Sequence, residues 1–293
     1  MVRVAPHLLD NWADWRLGNV DALAADVLAR CEDAKRAWGL EALEPMPGGA
    51  VALVLAARTG SGADAVLKLS PRPAEQTSSL EGVALALWAD HGFAPRVIAA
   101  RDDGMTLLLE RVRPGDSLAE RGASADEVIE TVGALCRQIH LRAGEIGDLG
   151  FPTLADHALG DGWLRSLAGA REHDELAALL VAGGDERLLH VDLHALNVLR
   201  GPRGWLVIDP KPCVGDPCAE IYGFLDGAPL NELPADGARA RTWLRARLAR
   251  YGAASGEDPE RLAAWLRIRA QILIAQGAGA EREPLLRVCD ALG

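Results

Sequence analysis

The 293-residue sequence lacks the positive charge that nucleic-acid-binding proteins carry. Acidic residues outnumber basic ones by 42 to 31, which gives a formal net charge of −11. Nucleic-acid phosphates are bound by clustered lysine and arginine side chains, so we expect no nucleic-acid partner. A negative field attracts cations, and a small cationic molecule is the more natural partner.

Long hydrophobic runs are also missing. The longest ones, such as AVALVLAA at 50–57, are far shorter than the roughly 20 residues needed to cross a bilayer as a helix. The opening residues, MVRVAPHLLDNWADW, do not combine a basic leader with an apolar stretch and a small-residue cleavage site. We therefore expect a soluble, cytoplasmic protein that does not insert into a membrane.

Cysteine is scarce, with five residues scattered along the chain. Cys213 and Cys218 have no second pair nearby that would complete a zinc site, so buried free thiols are expected. There is no internal repeat and no low-complexity segment. With 49% hydrophobic residues, the chain can bury a large core as one large domain or two lobes.

The first third of the chain favours strands. Alternating apolar residues predict strands at 50–58 and 64–69, joined by a turn at Gly60-Ser61-Gly62. The segment AEQTSSLEGVALALWADHG has helical periodicity and stops at Gly92. Two further strands are predicted near 96–100 and 105–112.

The remainder of the chain favours helices. The first begins with Ser124 and Glu127 at the spacing of a capping box. Further helices are predicted at about 157–183, 235–251, 258–276 and 282–292. The exception is 188–209, where the pattern predicts two short strands around a turn that contains glycine and proline.

This exception holds the most informative polar residues. Asp192 and Asn197 stand five positions apart in LLHVDLHALNVL, and Asp209 ends the apolar strand WLVID twelve residues later. Burying polar groups among apolar strands costs free energy unless these groups form hydrogen bonds or have a functional role. A loop followed by a hairpin would bring a general base and two oxygen ligands together. Magnesium uses such ligands with phosphate oxygens and water, so the pattern indicates phosphoryl transfer, which also needs a lysine for the nucleotide.

Two motifs in this region resemble those of a known family. HVDLHALN and VIDPK, followed by VGDP, are similar to the catalytic loop and metal-binding segment of the aminoglycoside phosphotransferases, in the streptomycin 6-phosphotransferase and hydroxyurea phosphotransferase branch. The resemblance covers about 40–275. It implies an α+β, bilobal protein-kinase-like fold, with a β-rich N-terminal lobe at 1–112 that carries an N-terminal helical extension, and a mainly helical C-terminal lobe at 113–293.

The resemblance assigns roles to the polar residues of the second lobe. It implies that Asp192 is the catalytic base and that Asn197 and Asp209 bind Mg²⁺. His190 resembles a residue that shapes the loop, and His194 is expected to be a hydrogen-bonded structural residue.

The resemblance also places an ATP-binding region in the first lobe. Lys68, expected in an accessible cleft, corresponds to the lysine that contacts the nucleotide phosphates, and Glu81 to its helical partner, with Glu75 as an alternative. Gly48 and Gly49 fall in the phosphate-covering loop. In LLLERVRPG, which resembles the linker between lobes, backbone groups near Glu110 to Val112 would meet the adenine.

The chain departs from the family pattern at two positions. Val191 replaces a usual glycine, so we expect the backbone there to avoid conformations that only glycine tolerates. In DPCAEIYGF, Glu220 is expected to take an acidic position near the substrate.

The expected enzyme is therefore an ATP-dependent phosphotransferase with an alcohol acceptor. Streptomycin-like aminoglycosides lead as substrates, which would confer antibiotic resistance. Hydroxyurea, another hydroxylated metabolite and a sugar remain open as acceptors. A noncatalytic nucleotide-binding relative is the competing class, but the chain keeps Lys68, Asp192, Asn197 and Asp209, whereas a decayed site usually loses one of them.

Overall fold

A computed structural model describes residues 2–72, 78–167, 169–181 and 185–293. The chain divides into two compact units, Met1–Arg113 and Pro114–Gly293. A sheet dominates the first unit and helices dominate the second, which confirms the predicted α+β class.

The first unit is built on a five-stranded antiparallel sheet with strand order β1-β2-β3-β5-β4. The strands are β1 (Ala42–Pro45), β2 (Leu53–Arg58), β3 (Asp64–Leu69), β4 (Val97–Arg101) and β5 (Thr106–Glu110). The predicted hairpin is confirmed, because β2 pairs with β3 and the Thr59 amide donates to the Ala63 carbonyl across the turn. Strand β1 is an addition, and its largely exposed residues carry little periodic signal.

Three helices accompany this sheet. They are α1 (Pro6–Asp14), α2 (Val20–Ala37) and α3 (Glu81–Asp90). Helix α2 buries Leu23, Val27, Cys31 and Ala34, which share one face at helical spacing and join the core beneath the sheet. The predicted helix over 74–92 is present from Glu81, after a 3₁₀ turn at Ser78–Leu80, and Glu75 lies outside the described residues.

The second unit is mainly helical. Its helices are α4 (Ala125–Ile139), α5 (Ala143–Ile146), α6 (Leu154–Gly160), α7 (Trp163–Ser166), α8 (Ala170–Val181), α9 (Gly227–Asn231), α10 (Gly237–Ser255), α11 (Pro259–Ala275) and α12 (Arg282–Leu292). The single helix expected at about 157–183 is wrong, because α6, α7 and α8 occupy that region. Gly162, with a φ of 71°, turns the chain between the first two.

Two short antiparallel ladders cross this helical unit. Strand β6 (Arg187–Leu189) pairs with β9 (Cys213–Gly215), and β7 (Val198–Gly201) pairs with β8 (Gly204–Val207). The strands predicted around a turn in 188–209 are thus confirmed, and β9 is an addition. Asn197 and Asp209 flank the second ladder, just before β7 and just after β8.

Two further features concern the whole described chain. No helix in the described ranges is both long enough and apolar enough to cross a membrane. All five cysteines are free thiols, and four of them are buried, as the sequence predicts.

Candidate active site

A tight loop between β6 and β7 carries the predicted base. After β6 the chain runs through His190 to His194, makes a 3₁₀ turn at Ala195–Asn197 and enters β7. The β7–β8 hairpin then returns the chain, and the Ile208 amide donates to the Asn197 carbonyl at 3.0 Å. Asp209 therefore directly follows Ile208, the backbone partner of Asn197, as the sequence spacing predicts.

The backbone of Asp192 is held while its carboxylate stays partly accessible. Its carbonyl accepts hydrogen bonds from Asn197 Nδ2 at 2.9 Å and from the His194 amide at 3.1 Å. Its carboxylate lies 3.8 Å from Lys211 Nζ and 4.0 Å from His194 Nε2, and the side chain is 25% exposed. The arrangement presents a fixed, ionisable oxygen pair to a molecule arriving from solvent.

Asn197 is oriented so that its amide oxygen is available as a ligand. Its Nδ2 contacts the Asp192 carbonyl and His194 Nε2. Within the described ranges, no donor is seen on Asn197 Oδ1. The amide oxygen and the Asp209 carboxylate suit a hard cation such as Mg²⁺, which binds few protein oxygens and keeps positions for phosphate and water.

His190 supports the loop from below. The buried ring contacts the Ile208 carbonyl through Nε2 at 2.9 Å, and the backbone carbonyl accepts from the Lys211 amide at 2.9 Å. Burial lowers the pKa of the His190 imidazole, so the ring stays neutral near pH 7 and acts as a donor to Ile208. This geometry agrees with a loop-shaping residue.

Glu220 lies beneath the loop, and the expectation of a position near the substrate is wrong. The residue is completely buried, accepts the His190 amide at 2.5 Å and lies 3.5 Å from His140 Nε2. Burial opposes ionisation, but contacts with His140 and His190 outweigh it and lower the pKa of the Glu220 carboxyl. Glu220 therefore supports the loop as a buried carboxylate.

The expectation for Val191 is also wrong. Its φ is 64°, in the left-handed region that glycine tolerates and β-branched residues avoid. The physical reason is that its neighbours are held, because His190 is bonded through both its amide and its carbonyl and Asp192 through its carbonyl. Such a conformation costs about 1–3 kcal/mol and persists only when the surroundings enforce it.

In the first unit, Lys68 and Glu81 form a close buried pair. Lys68 Nζ lies 2.7 Å from Glu81 Oε2, and the side chains are only 9% and 4% exposed. The accessible cleft expected for Lys68 is therefore wrong for this residue. Gly82 permits the approach of α3 to β5, since a Cβ there would lie 2.8 Å from Leu107 Cδ2, and Leu107 pairs with Lys68 in the sheet.

The other predicted nucleotide-binding residues lie in the same unit. Gly48 and Gly49, with φ values of 93° and 79°, form part of the loop between β1 and β2. That loop starts where the Met46 amide donates to the Val54 carbonyl, and Val54 pairs with Lys68 in the sheet. Met46, at the start of the loop, and Lys68 therefore both neighbour Val54 in the sheet.

The predicted linker residues follow at the end of β5. Glu110 is the last residue of that strand, and its Oε2 accepts from Arg96 Nε at 3.0 Å. Val112 lies just beyond the strand and is half-buried. These contacts leave the nucleotide role of both residues a prediction.

Asp216, in the VGDP segment, is an anchor that the sequence argument did not assign. Its buried carboxylate accepts from Arg261 Nε at 2.7 Å, from Trp265 Nε1 and from the Cys218 amide. Arg261 and Trp265 stand four residues apart on α11, and so face the same way. The motif itself was visible in the sequence, but its partners are more than 40 residues away.

A cluster of one cationic and two aromatic side chains near Asp192 was also not predicted from the sequence. The Arg269 guanidinium stacks on the Trp163 ring at 4.0 Å and lies 5.4 Å from the Tyr222 ring centre. Burial lowers the pKa of Arg269, and the charge of Asp192 opposes that shift. The three residues come from separate elements, so sequence spacing gives no signal for them.

Solved structures of small-molecule kinases share this fold. An amicoumacin kinase in complex with AMP-PNP, Ca²⁺ and Ami has a TM-score of 0.58 and 15% identity, over 92% of this chain and 95% of its own. A macrolide 2'-phosphotransferase from Brachybacterium faecium has a TM-score of 0.54 and 19% identity, over 91% and 97%. These likenesses confirm the predicted protein-kinase-like fold.

Characterised relatives are similar over a shorter span. A hydroxyurea phosphotransferase from Kitasatospora aureofaciens is 38% identical over 64% of this chain and 57% of its own length. A streptomycin 6-kinase from Streptomyces griseus is 31% identical over 68% and 66%. A streptomycin 3''-kinase from Klebsiella pneumoniae is 34% identical over 69% and 75%.

The match with a family model is broader. The model described as aminoglycoside/hydroxyurea antibiotic resistance kinase matches residues 37–276. This match includes both units and every predicted site residue. The chain therefore belongs to the aminoglycoside/hydroxyurea antibiotic resistance kinase family, in the branch that its HVDLHALN and VIDPK motifs predict.

Proposed function

We propose that the protein transfers the γ-phosphoryl group of ATP to a hydroxyl group of a small antibiotic in the cytoplasm, with streptomycin-like aminoglycosides as leading acceptors. The observation that carries this proposal is the loop at Asp192. The partly exposed carboxylate of Asp192 lies on the loop that leads into the β7–β8 hairpin, and Asn197 and Asp209 flank that hairpin. Family membership supports the same reaction.

In the proposed reaction, Asp192 orients the acceptor hydroxyl and accepts its proton. The hydroxyl oxygen forms a bond to the γ-phosphorus, the bond from that phosphorus to the β–γ bridging oxygen breaks, and ADP leaves. Positioning and electrostatic stabilisation carry most of the catalysis in such transfers. The held backbone of Asp192 provides the positioning.

The remaining site residues would bind the nucleotide and its metal. Asn197 and Asp209 would hold Mg²⁺, which neutralises phosphate charge when it is bound. Lys68, kept in place by Glu81, would contact the α- and β-phosphates. Backbone amides at Gly48 and Gly49 would cover the phosphates, and backbone groups from Glu110 to Val112 would meet the adenine.

Charge favours a cationic acceptor. The chain carries a net charge of −11, and Asp226 Oδ2 lies 3.6 Å from His194 Nδ1, on the loop that holds Asp192. Ammonium or guanidinium groups of an aminoglycoside would be attracted to this side of the loop. Hydroxyurea is the second candidate, because the relative named for it shares 38% identity with this chain.

A panel of acceptors tests the proposal. The protein is incubated with ATP and Mg²⁺ and with streptomycin, hydroxyurea or neutral sugars, and mass spectrometry records the gain of one phosphoryl group. We expect streptomycin or a related aminoglycoside to gain a single group, and the Asp192→Asn variant to serve as the control. Turnover of neutral sugars alone would refute the antibiotic acceptor, and nucleotide binding without any turnover would favour a noncatalytic relative.

A further inference from the structure

Lysine is rare in this chain. Of its 31 basic residues only three are lysines, Lys35, Lys68 and Lys211, and the rest are arginines. Arginine is thus the usual source of positive charge here. A lysine differs from it by carrying a compact point charge on a flexible stem, whereas a guanidinium is a planar fork.

One of these positions lies beside the proposed base. Lys211 Nζ is 3.8 Å from Asp192 Oδ2, and the two side chains are 32% and 25% exposed. This separation is longer than a hydrogen bond, so the two groups form a loose, partly exposed ion pair. Neither side chain is buried in the core.

The backbone of Lys211 is held by a hydrogen bond. Its amide donates to the His190 carbonyl at 2.9 Å, just before Val191 and Asp192. Pro210, which has a restricted φ, separates it from Asp209. The same short segment therefore fixes where the ammonium group starts relative to the base and to a proposed metal ligand.

The chemistry of this position calls for a cation. During transfer, the negatively charged phosphoryl oxygens come near the negatively charged Asp192 carboxylate, because the acceptor hydroxyl links the two. Such like charges repel strongly in a partly desolvated site. An ammonium 3.8 Å from the carboxylate can offset this repulsion by its charge and by hydrogen bonding.

We propose that Lys211 is a catalytic residue whose ammonium group contacts the oxygens of the phosphoryl group as it passes to the acceptor. This inference rests on the proposed function. The acceptor oxygen bonds to the γ-phosphorus as the bond to the β–γ bridging oxygen breaks, and the hydroxyl proton moves to Asp192. Lys211 keeps its protons throughout and acts by charge and hydrogen bonding.

Binding of a mimic of the transferred group tests Lys211 without knowledge of the acceptor. Calorimetry measures ADP with Mg²⁺, in the absence and presence of aluminium fluoride, for wild type, Lys211→Met and Lys211→Arg. Fluoride should tighten ADP binding to wild type. Lys211→Met should lose about tenfold to a hundredfold of that gain, the range for hydrogen bonds to a charged group, with ADP affinity alone unchanged. Lys211→Arg should not restore it fully.

Lys35 provides a matched control. It lies in α2 of the unit that does not carry the loop, so Lys35→Met removes the same kind of side chain and should leave the fluoride effect intact. An equal fluoride effect in wild type and Lys211→Met would overturn the proposal for Lys211 alone. Loss of ADP affinity together with a lowered Tm in Lys211→Met would reassign the residue to a structural role. Failure of wild type to bind ADP would refute the proposed function, and this inference with it.

Discussion

The two lysine–carboxylate pairs of this protein are built differently. Lys68 and Glu81 are 2.7 Å apart and almost fully buried, whereas Lys211 and Asp192 are 3.8 Å apart and keep about a quarter or more of their side-chain surface exposed. The first pair is a closed contact formed within a regular sheet and helix. The second is more open and involves the loop that carries Asp192.

The backbone shows the same contrast. Around Lys68 the strands follow regular antiparallel register, but Val191 and Asp209 both have φ values near 60°. Strained backbone at functional sites is held by the surrounding contacts. Burial therefore holds the Lys68 region in place, whereas hydrogen bonds to the backbone hold the Asp192 loop. Four substitutions test this difference.

The largest expected effect is on turnover, at Asp192. Asp192→Asn should lower the rate by about 10²- to 10⁴-fold, because an amide cannot accept the hydroxyl proton. Its partly exposed side chain should make the change mild for stability. Single-turnover transfer and urea denaturation measure the two effects. A large loss of stability with a small loss of rate would contradict the description of this pair as open.

Glu81→Gln should act mainly on stability. It removes the Glu81 carboxylate from the buried Lys68 ammonium, and breaking a buried pair in this way costs about 3–5 kcal/mol of the free energy of unfolding. Glu110→Gln is the control, because the Arg96–Glu110 pair is 75% and 45% exposed, and such pairs contribute about 1 kcal/mol or less. Equal urea midpoints for the two variants would argue against the buried pair as a stabilising contact.

Asp209→Asn should weaken the apparent affinity for magnesium by about tenfold or more, since the amide oxygen still binds but without charge. Raising the magnesium concentration should recover part of the rate. A magnesium titration of turnover checks this, with Asp192→Asn titrated alongside. Rescue of the Asp192 variant and not the Asp209 variant would reverse the assigned roles.

The smallest effect is expected at Val191. Val191→Gly loses about 1.5–3 kcal/mol of side-chain burial and gains flexibility when unfolded, but it also relieves strain of about 1–3 kcal/mol. We expect a net change within about 1 kcal/mol. Val207→Gly, in the regular strand β8, has no such strain to relieve and should cost about 3 kcal/mol or more. Similar losses at both positions would show that Val191 is not strained.

Local patterns in the sequence were sufficient for much of the fold and for the centre of the site. Alternation predicted β2, β3 and their turn, and the spacing of Asp192, Asn197 and Asp209 predicted a hairpin that brings two of them together. These features depend on neighbours within about 20 residues.

Other features depend on distant contacts and could not be predicted in this way. The left-handed conformation of Val191 is held by hydrogen bonds that join its neighbour His190 to Glu220 and Lys211. The buried Glu220 lies against His140, 80 positions earlier in the sequence. The burial of Lys68 likewise depends on how closely α3 approaches the sheet. Spacing within a motif carries no information on such packing.

The contacts of Asp216 with α11 connect two parts of the chain that lie far apart in the sequence. Arg261 and Trp265, which bind Asp216, and Arg269, which stacks on Trp163, follow one another at four-residue intervals along one face of the helix. The first turns of α11 are thus tied to the segment that follows Lys211, and the next turn is held by the stacking of Arg269 on Trp163. Substitutions along this face of α11 are therefore expected to disturb the anchor at Asp216 and the stacking of Arg269 on Trp163 together.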